Sequence, residues 1–596
     1  MQTLRLVLTV LLLATLTGCA SSGSTSTEPA SSSADAATQD TTAVADREAR
    51  TDADAAPAES PAESQRSADA PPKDDGRADP TTPQDAAATT APVDWFHRDA
   101  DGESAPGMGT DRAYRELLQG RAPQDTVVVA ILDSGVDINH EDLQGRIWVN
   151  DDETPGNGVD DDGNGYVDDV HGWNFIGGPD GKNVEHDTYE VTRLYVKLRD
   201  QFADRDSSSI GPDERDAYER YQQIKADFQK QRRQAKRELR NVKSANDAVQ
   251  FAQQLLRDHL DTDSLSQEAV SGIASPSQRV QQARDIYLYF AQQGLTPADI
   301  QEYHDYLKDK VEYKLNPDFD PRSIVGDDYS DKTERSYGNN DVIGPDANHG
   351  THVAGIVAAV RDNGIGMDGV ASAVHIMSVR TVPNGDERDK DVANAIRYAA
   401  DNGADIINMS FGKSYSPYKK VVDDAVRYAD SLGVLMVHAA GNDGADVDSS
   451  ANDNYPTDRL DTGRTADHWL EIGASSWKGS DQLAAPFSNY GDETVDVFAP
   501  GSSIYSTVPN NKYERIDGTS MAAPMVSGLA ALLLSHHPNL TARQVRTLIL
   551  DSALRYGDRM VARPGTNETV PFASLSQTGA VVNAYAALQQ AARQAP

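Results

Sequence analysis

Apolar residues fall along this chain in two rhythms. Four short runs, Val127 to Leu132, Ile376 to Arg380, Asp405 to Met409 and Val434 to His438, are nearly continuous in apolar and branched side chains, the pattern of strands buried on both faces. Helix-like stretches such as Asp389 to Asn402 separate them, and this alternation predicts a mostly parallel sheet with crossover helices. A different rhythm occupies Tyr189 to about Leu315. There Ala217, Tyr221, Ile224 and Phe228 recur at helical steps, and Thr296-Pro297-Ala298-Asp299 supplies a cap, a first-turn proline and a first-turn acid. The stretch reads as a helical bundle or hairpin with a Tyr and Phe stripe for its core. From Ala20 to about Ala91 large apolar residues nearly vanish in favour of Ala, Ser, Thr, Asp and Pro, so that segment cannot bury a core and reads as a disordered tether.

Chemistry enters where the rhythms break. The strand Val127 to Leu132 runs into Asp133-Ser134-Gly135. Asn348-His349-Gly350-Thr351-His352 opens an apolar helical run, and Asp517-Gly518-Thr519-Ser520-Met521-Ala522 puts a hydroxyl at the mouth of another. A serine is a poor nucleophile at neutral pH and needs a base oriented by a third group. Helix N-termini offer unpaired N–H groups that favour negative charge. Each motif alone is an ordinary turn, loop histidine or helix cap. Together, in the order Asp, His, Ser, they resemble the subtilisin-like serine proteases, whose signatures read D-S/T-G, H-G-T-H and G-T-S-M-A.

The resemblance implies a three-layer α/β sandwich with a mostly parallel sheet, in which Ser520 attacks, His349 carries the proton and Asp133 orients the imidazole. It also implies that Asn442, in Ala440-Gly441-Asn442-Asp443, donates to the oxyanion; by composition alone Asn442 is equally a turn residue. Ser410, Phe411 and Gly412, at the exit of the strand Ile406 to Met409, match the family segment that pairs with an extended peptide and walls the P1 pocket. For Phe411 a core position fits as well.

The spacing of the motifs is unusual. His349 lies 216 residues after Asp133, far beyond the family's usual separation, and the excess is the helical stretch 189–315. Just before it, Asn157 to Asp169 crowds carboxylates onto a glycine-bent loop. Either the loop is a solvated acidic turn or a hard cation with oxygen ligands gathers it, and calcium suits that donor set. Asp160, Asp162, Asn164 and Asp168 have the spacing of an EF-type loop, yet His171 stands where its glutamate belongs, so an EF-hand is excluded. A second calcium site, at Asp142, Asp362 and Asn363, is implied by the resemblance alone.

Composition narrows the setting. The formal net charge is −38, which argues against nucleic acid as a partner and suits a surface kept soluble in high salt. Met1 to Thr17 has one basic residue, Arg5, and a short apolar core from Leu6 to Leu13, shaped like a secretory signal and too short for a mature span. It ends in Leu16-Thr17-Gly18-Cys19, which resembles a bacterial lipobox with Cys19 as the lipidated residue. Cys19 is the single cysteine of the chain, so no internal disulfide exists.

The expected organisation is therefore a lipoprotein signal at 1–18, a tether at 19–92, a peptidase domain at 93–188 and 316–596, and a helical insertion at 189–315. Trp95 to Asp125 leaves no room for a folding-assisting propeptide. The expected protein is a monomeric, exported, lipid-anchored serine endopeptidase acting on proteins or peptides. Its rivals are a gated processing protease of narrow specificity and a catalytically silent binding lipoprotein.

Overall fold

The computed structural model describes residues 66–67, 90–99 and 106–594. The signal, Cys19 and most of the tether lie outside them. Contacts divide the described chain into a large unit, Glu59–Arg237 with Asp305–Pro596, and a smaller one whose described part is Glu238–His304.

The large unit is built on a nine-stranded sheet. Its strands in chain order are β1 (Val127–Asp133), β2 (Gly172–Asn174), β3 (Val374–Arg380), β4 (Ile406–Met409), β5 (Leu435–Ala439), β6 (Trp469–Ser475), β7 (Val497–Pro500), β8 (Leu554–Arg555) and β9 (Ala580–Val581). In space they run β8-β9-β7-β6-β5-β4-β1-β3-β2, and every neighbouring pair except β8 and β9 is parallel. The four apolar runs read from the sequence are β1, β3, β4 and β5, with ends within two residues of expectation.

Alternation along β1 feeds two cores. Val127, Val129 and Ile131 join the cluster that holds helices α3 (Asn348–Ala358) and α6 (Thr519–His536), reached through Val353, Val357, Met525 and Leu529. Ala130 and Leu132 join the opposite cluster with α4 (Asp389–Asp401) and α5 (Lys419–Leu432). The result is the expected helix–sheet–helix sandwich. Trp95, Phe96 and Met108 are buried in the first cluster, which makes the segment before β1 part of the catalytic core. The 18-residue α6 is apolar and long enough to cross a membrane, yet 94% of it is buried, which is the signature of a core helix.

The insertion is helical, as its periodicity predicts. It begins with α1 (Glu190–Phe202) and the 46-residue α2 (Arg215–Leu260). Tyr221, Ile224 and Phe228 are all buried on one face of α2, and Thr296 Oγ1 accepts the Asp299 N–H at 3.2 Å as the predicted cap. The division between units falls inside the insertion, between Arg237 and Glu238 and between His304 and Asp305. Val191, Leu194, Ile224, Phe228 and Leu315 form one cluster within the large unit. Residues Glu238–His304 enclose their own core of Ala252, Leu256, Val270, Ile273, Val280 and Ala283.

Candidate active site

In an open parallel sheet the loops after the strands diverge where the strand order reverses, and ligands bind there. Here that point is β1, flanked by β3 on one side and β4 on the other. Its last residue is Asp133.

Asp133 is 1% exposed, and its Oδ1 accepts the Ser134 N–H at 2.7 Å and Nδ1–H of His349 at 2.7 Å. A carboxylate can only accept, so Nδ1 bears the proton and Nε2 keeps its lone pair for a substrate-side proton. The glycines of the two motifs permit this approach. Gly135 has φ +123°, and a Cβ on Gly350 would meet the Gly135 carbonyl oxygen at 2.2 Å and the Asp133 Cβ at 3.1 Å. His352, the other histidine of the motif, is fully buried and donates through Nε2 to the Ile504 carbonyl at 3.0 Å. Burial pushes its pKa down to about 3, so it is a neutral structural residue.

Ser520 occupies the second position of α6. Four residues on stands Pro524, which has no N–H to close the helical bond to the Ser520 carbonyl. That carbonyl instead accepts from Ser410 Oγ at 2.9 Å, while Ser520 Oγ donates to the Ser410 carbonyl at 3.0 Å. A reciprocal clamp thus ties Ser520 to the exit of β4. In this position the hydroxyl proton serves the Ser410 carbonyl.

Asn442 Oδ1 accepts from the Thr519 N–H at 2.8 Å and from Thr519 Oγ1 at 3.0 Å. Because a backbone N–H only donates, the oxygen of the amide must face Thr519 and the NH2 faces the other way. Thr519 Oγ1 also accepts the Gly441 N–H at 3.1 Å. One hydroxyl therefore braces both the turn and the amide at this position.

Ser410 and Phe411 are 3% and 9% exposed, and the Phe411 ring joins the second core cluster, the core position that composition also allowed. Gly412 lies against the Asn454 side chain. Lys413 follows, paired through its backbone with Tyr455 at 3.1 and 2.9 Å. Its ammonium donates to Glu190 at 3.1 Å, Asp389 at 2.7 Å and the Glu387 carbonyl at 2.7 Å. Glu190 is the first residue of α1, so the root of the insertion is ion-paired to the residue that follows Gly412. Burial alone would raise the Glu190 pKa, but Arg193 and Lys413 outweigh it and hold the carboxyl down at about 2.

The acidic loops separate into two groups. Oxygens of Glu153, Asp160 and Asp162 lie within 4.8 Å of one another, a span that a cation with 2.3–2.6 Å oxygen contacts bridges. Asn164 donates to Asp162 at 2.9 Å and Asp169 at 3.2 Å. The Asp168 carboxylate takes the N–H groups of Asn157 and Gly158 at 3.0 and 2.9 Å, and its own N–H is held by Glu153 Oε2 at 3.0 Å. Glu153 is absent from the sequence reading. At the other place, buried Asp142 accepts from Asn363 Nδ2 at 2.6 Å and from the Met367 N–H at 3.1 Å, while Asp362 is exposed. Asn363 presents its nitrogen there, so holding a cation requires the amide to turn its oxygen inward.

The sequence reading missed Thr519, Lys413, Glu190, Glu153 and a buried pair, His438 with Glu471. A signal existed for the last two, since a charged or titratable residue inside an otherwise apolar strand demands a partner.

Comparison with known proteins agrees with this geometry. The family model described as the subtilase family matches residues 124–580. The chain is 41% identical over 231 residues to a thermophilic serine proteinase of Bacillus sp. (strain AK1), covering 38% of this chain and 51% of the relative. It is 41% identical over 216 residues to subtilisin DY of Bacillus licheniformis, covering 35% and 72%. With thermitase of Thermoactinomyces vulgaris it shares 37% identity over 239 residues, covering 40% and 76%. The aligned part thus spans from about half to about three quarters of these curated relatives.

Proposed function

This chain belongs to the subtilase family, and on that footing we propose that it is a serine endopeptidase hydrolysing protein or peptide substrates through an acyl-enzyme. The observation that carries the reading is the 2.7 Å bond from His349 to Asp133, together with a serine held at a helix start with an oriented amide next to it. Ser520 Oγ attacks the scissile carbonyl as His349 Nε2 takes its proton. Charge developing on the carbonyl oxygen is met by the Asn442 NH2 and the Ser520 N–H. The tetrahedral species collapses, His349 returns the proton to the leaving amine, and water then deacylates the serine by the same path. Asp133 keeps the imidazole in one tautomer throughout.

A fluorophosphonate probe should label the wild-type protein, and Ser520→Ala should abolish both labelling and casein hydrolysis with the circular dichroism unchanged. Residual hydrolysis near the wild-type rate in the alanine variant would remove the mechanism. Absence of labelling in the wild type would instead favour a silent binding protein.

Further parts of the reading are supported by the sequence and, for calcium, by the carboxylate cluster. Calcium at Glu153, Asp160 and Asp162, and at Asp142 with Asn363, would neutralise facing carboxylates and stiffen loops, with no part in the chemical steps. Export, attachment to a cell-envelope membrane through lipid on Cys19, and a monomeric state complete it. A narrower processing role is the second reading, favoured by the pairing of Glu190 at the insertion's root with Lys413. Replacing residues 238–304 with a short Gly/Ser linker should then raise cleavage of folded protein relative to a chromogenic peptide. Equal change on both would discard gating.

A further inference from the structure

His438 sits in β5 with no exposed surface, in a strand whose other residues are Leu435, Met436, Val437 and Ala439. Its Nε2 lies 2.9 Å from the Phe411 carbonyl oxygen, and its Nδ1 lies 2.9 and 3.0 Å from the two oxygens of Glu471 on β6. Trp469 Nε1 donates to the same carboxylate at 3.0 Å. A carbonyl only accepts, so Nε2 carries a proton. A second proton lies between Nδ1 and a carboxylate that already accepts from Trp469, which makes the pair an imidazolium facing a carboxylate. Burial by itself would lower the His438 pKa, and the charge of Glu471 reverses this and raises it. Three other carboxyls face the pair. Glu387, before α4, also favours the charged imidazole, and Asp458 and Asp496 lie on the Glu471 side, Asp496 taking the Glu471 N–H at 2.9 Å and Arg546 at 2.7 Å.

The acceptor matters because of where it lies. Met409 is the last residue of β4, and beyond it the chain leaves the sheet ladder just as it becomes the segment that clamps Ser520. The Phe411 carbonyl would otherwise be a buried acceptor without its donor, and the neighbouring strand supplies one from a side chain.

We propose that His438, backed by Glu471, is a positioning residue for substrate binding: its Nε2–H fixes the backbone between Ser410 and Gly412 and thereby sets the enzyme's affinity for the side chain at P1. The proposal rests on reading Ser410 to Gly412 as the P1 wall. It predicts a pH signature. When the pair loses one proton, a single N–H remains for two acceptors, and the charged carboxylate is the stronger. Phe411 then loses its donor and the wall loosens at alkaline pH.

The test uses the full-length protein and two peptide p-nitroanilides that differ only in Phe or Ala at P1, with fluorophosphonate titration to count active sites. His438→Leu leaves the carbonyl unpaired and should raise KM for the Phe substrate by about tenfold. Its kcat on the Ala substrate should stay within about threefold, as expected for lost uniform binding. Wild-type KM for the Phe substrate should climb above the ordinary histidine range. Glu471→Gln keeps a neutral His438 whose Nδ1 accepts from the new amide and whose Nε2–H still serves Phe411, so it should hold KM low and abolish that climb. An unchanged ratio of the two KM values in His438→Leu, or the same alkaline climb in wild type and Glu471→Gln, overturns the proposal. If His438→Leu fails to fold, the wild-type and Glu471→Gln pH series decides alone. A wild-type protein that the fluorophosphonate does not titrate condemns the peptidase reading instead.

Discussion

Thr519 offers the sharpest test of the proposed oxyanion role of Asn442. Its hydroxyl accepts the Gly441 N–H at 3.1 Å and donates to Asn442 Oδ1 at 3.0 Å, and its own N–H holds the same Oδ1 at 2.8 Å. Thr519→Val keeps the shape and the backbone bond and removes the hydroxyl. A net hydrogen bond is worth about 0.5–1.5 kcal/mol, and about 1.4 kcal/mol is a factor of ten in rate. If the brace acts only through Asn442, kcat should fall about 2- to 10-fold with KM unchanged. Asn442→Ala removes the donor itself and should cost about 10²- to 10³-fold, the range that loss of one such donor costs in subtilisin itself. The decisive measurement is the double variant. A brace has nothing to hold once the amide is gone, so Asn442→Ala with Thr519→Val should match Asn442→Ala alone, a coupling as large as the single Thr519 effect. Rates normalised by active-site titration on a peptide p-nitroanilide give the cycle. Multiplicative losses would mean that Thr519 acts on Ser520 or on the helix start, and the bracing argument would fall.

Three further outcomes are expected. Glu190 has an ordinary carboxyl pKa of 4.5 when unfolded and about 2 when folded, so it stabilises the native state above pH 4.5 and that contribution is lost as pH falls towards 2. A shift of that size corresponds to about 3 kcal/mol, and Glu190→Gln should lower the urea midpoint at pH 7 while flattening its acid dependence; an unaltered acid limb would place the lost stability elsewhere. Chelation at fixed ionic strength should lower the melting temperature, and Asp142→Asn with Asp160→Asn should shrink that shift. A shift of full size in the double variant would put the cation at other residues. Cys19→Ser should abolish incorporation of labelled palmitate and release the protein from the membrane fraction, and retention there without label would refute the lipobox reading.

The motifs were legible because each is short and its backbone does the positioning. Gly135 and Gly350 let Asp133 and His349 meet, and Pro524 frees the Ser520 carbonyl, all within a few residues of the side chain concerned. The strands were legible for a related reason, since β1, β3, β4 and β5 are buried on both faces and cannot carry polar residues without notice. Thr519 was hidden inside a motif already assigned to Ser520. Lys413 and Glu190 were hidden by distance, as 223 residues separate two charges that meet at 3.1 Å, and no local pattern marks either one. The acidic loop was legible as a cluster only. The left-handed turn at Asp168, with φ 54°, and the approach of Glu153 from outside the acidic run are not encoded in composition.

The acid excess has a structural share that composition conceals. Around the root of the insertion, cations are sunk among carboxylates: Lys390 meets Asp327 at 2.6 Å and Glu334 at 2.7 Å, Arg322 meets Asp327 and Asp391 at 2.6 Å, and Arg388 meets Asp187 at 2.7 Å. Lys390 and Asp327 have fully buried side chains, and those of Arg322 and Arg388 are 9% and 6% exposed. Such pairs are screened far less by salt than surface pairs, and removing one partner strands the other at a cost of about 3–5 kcal/mol. Surface charges and the charges at the root therefore answer to salt differently: exposed pairs are screened, while the Lys413–Glu190 pair, with side chains 2% and 4% exposed, persists at high ionic strength.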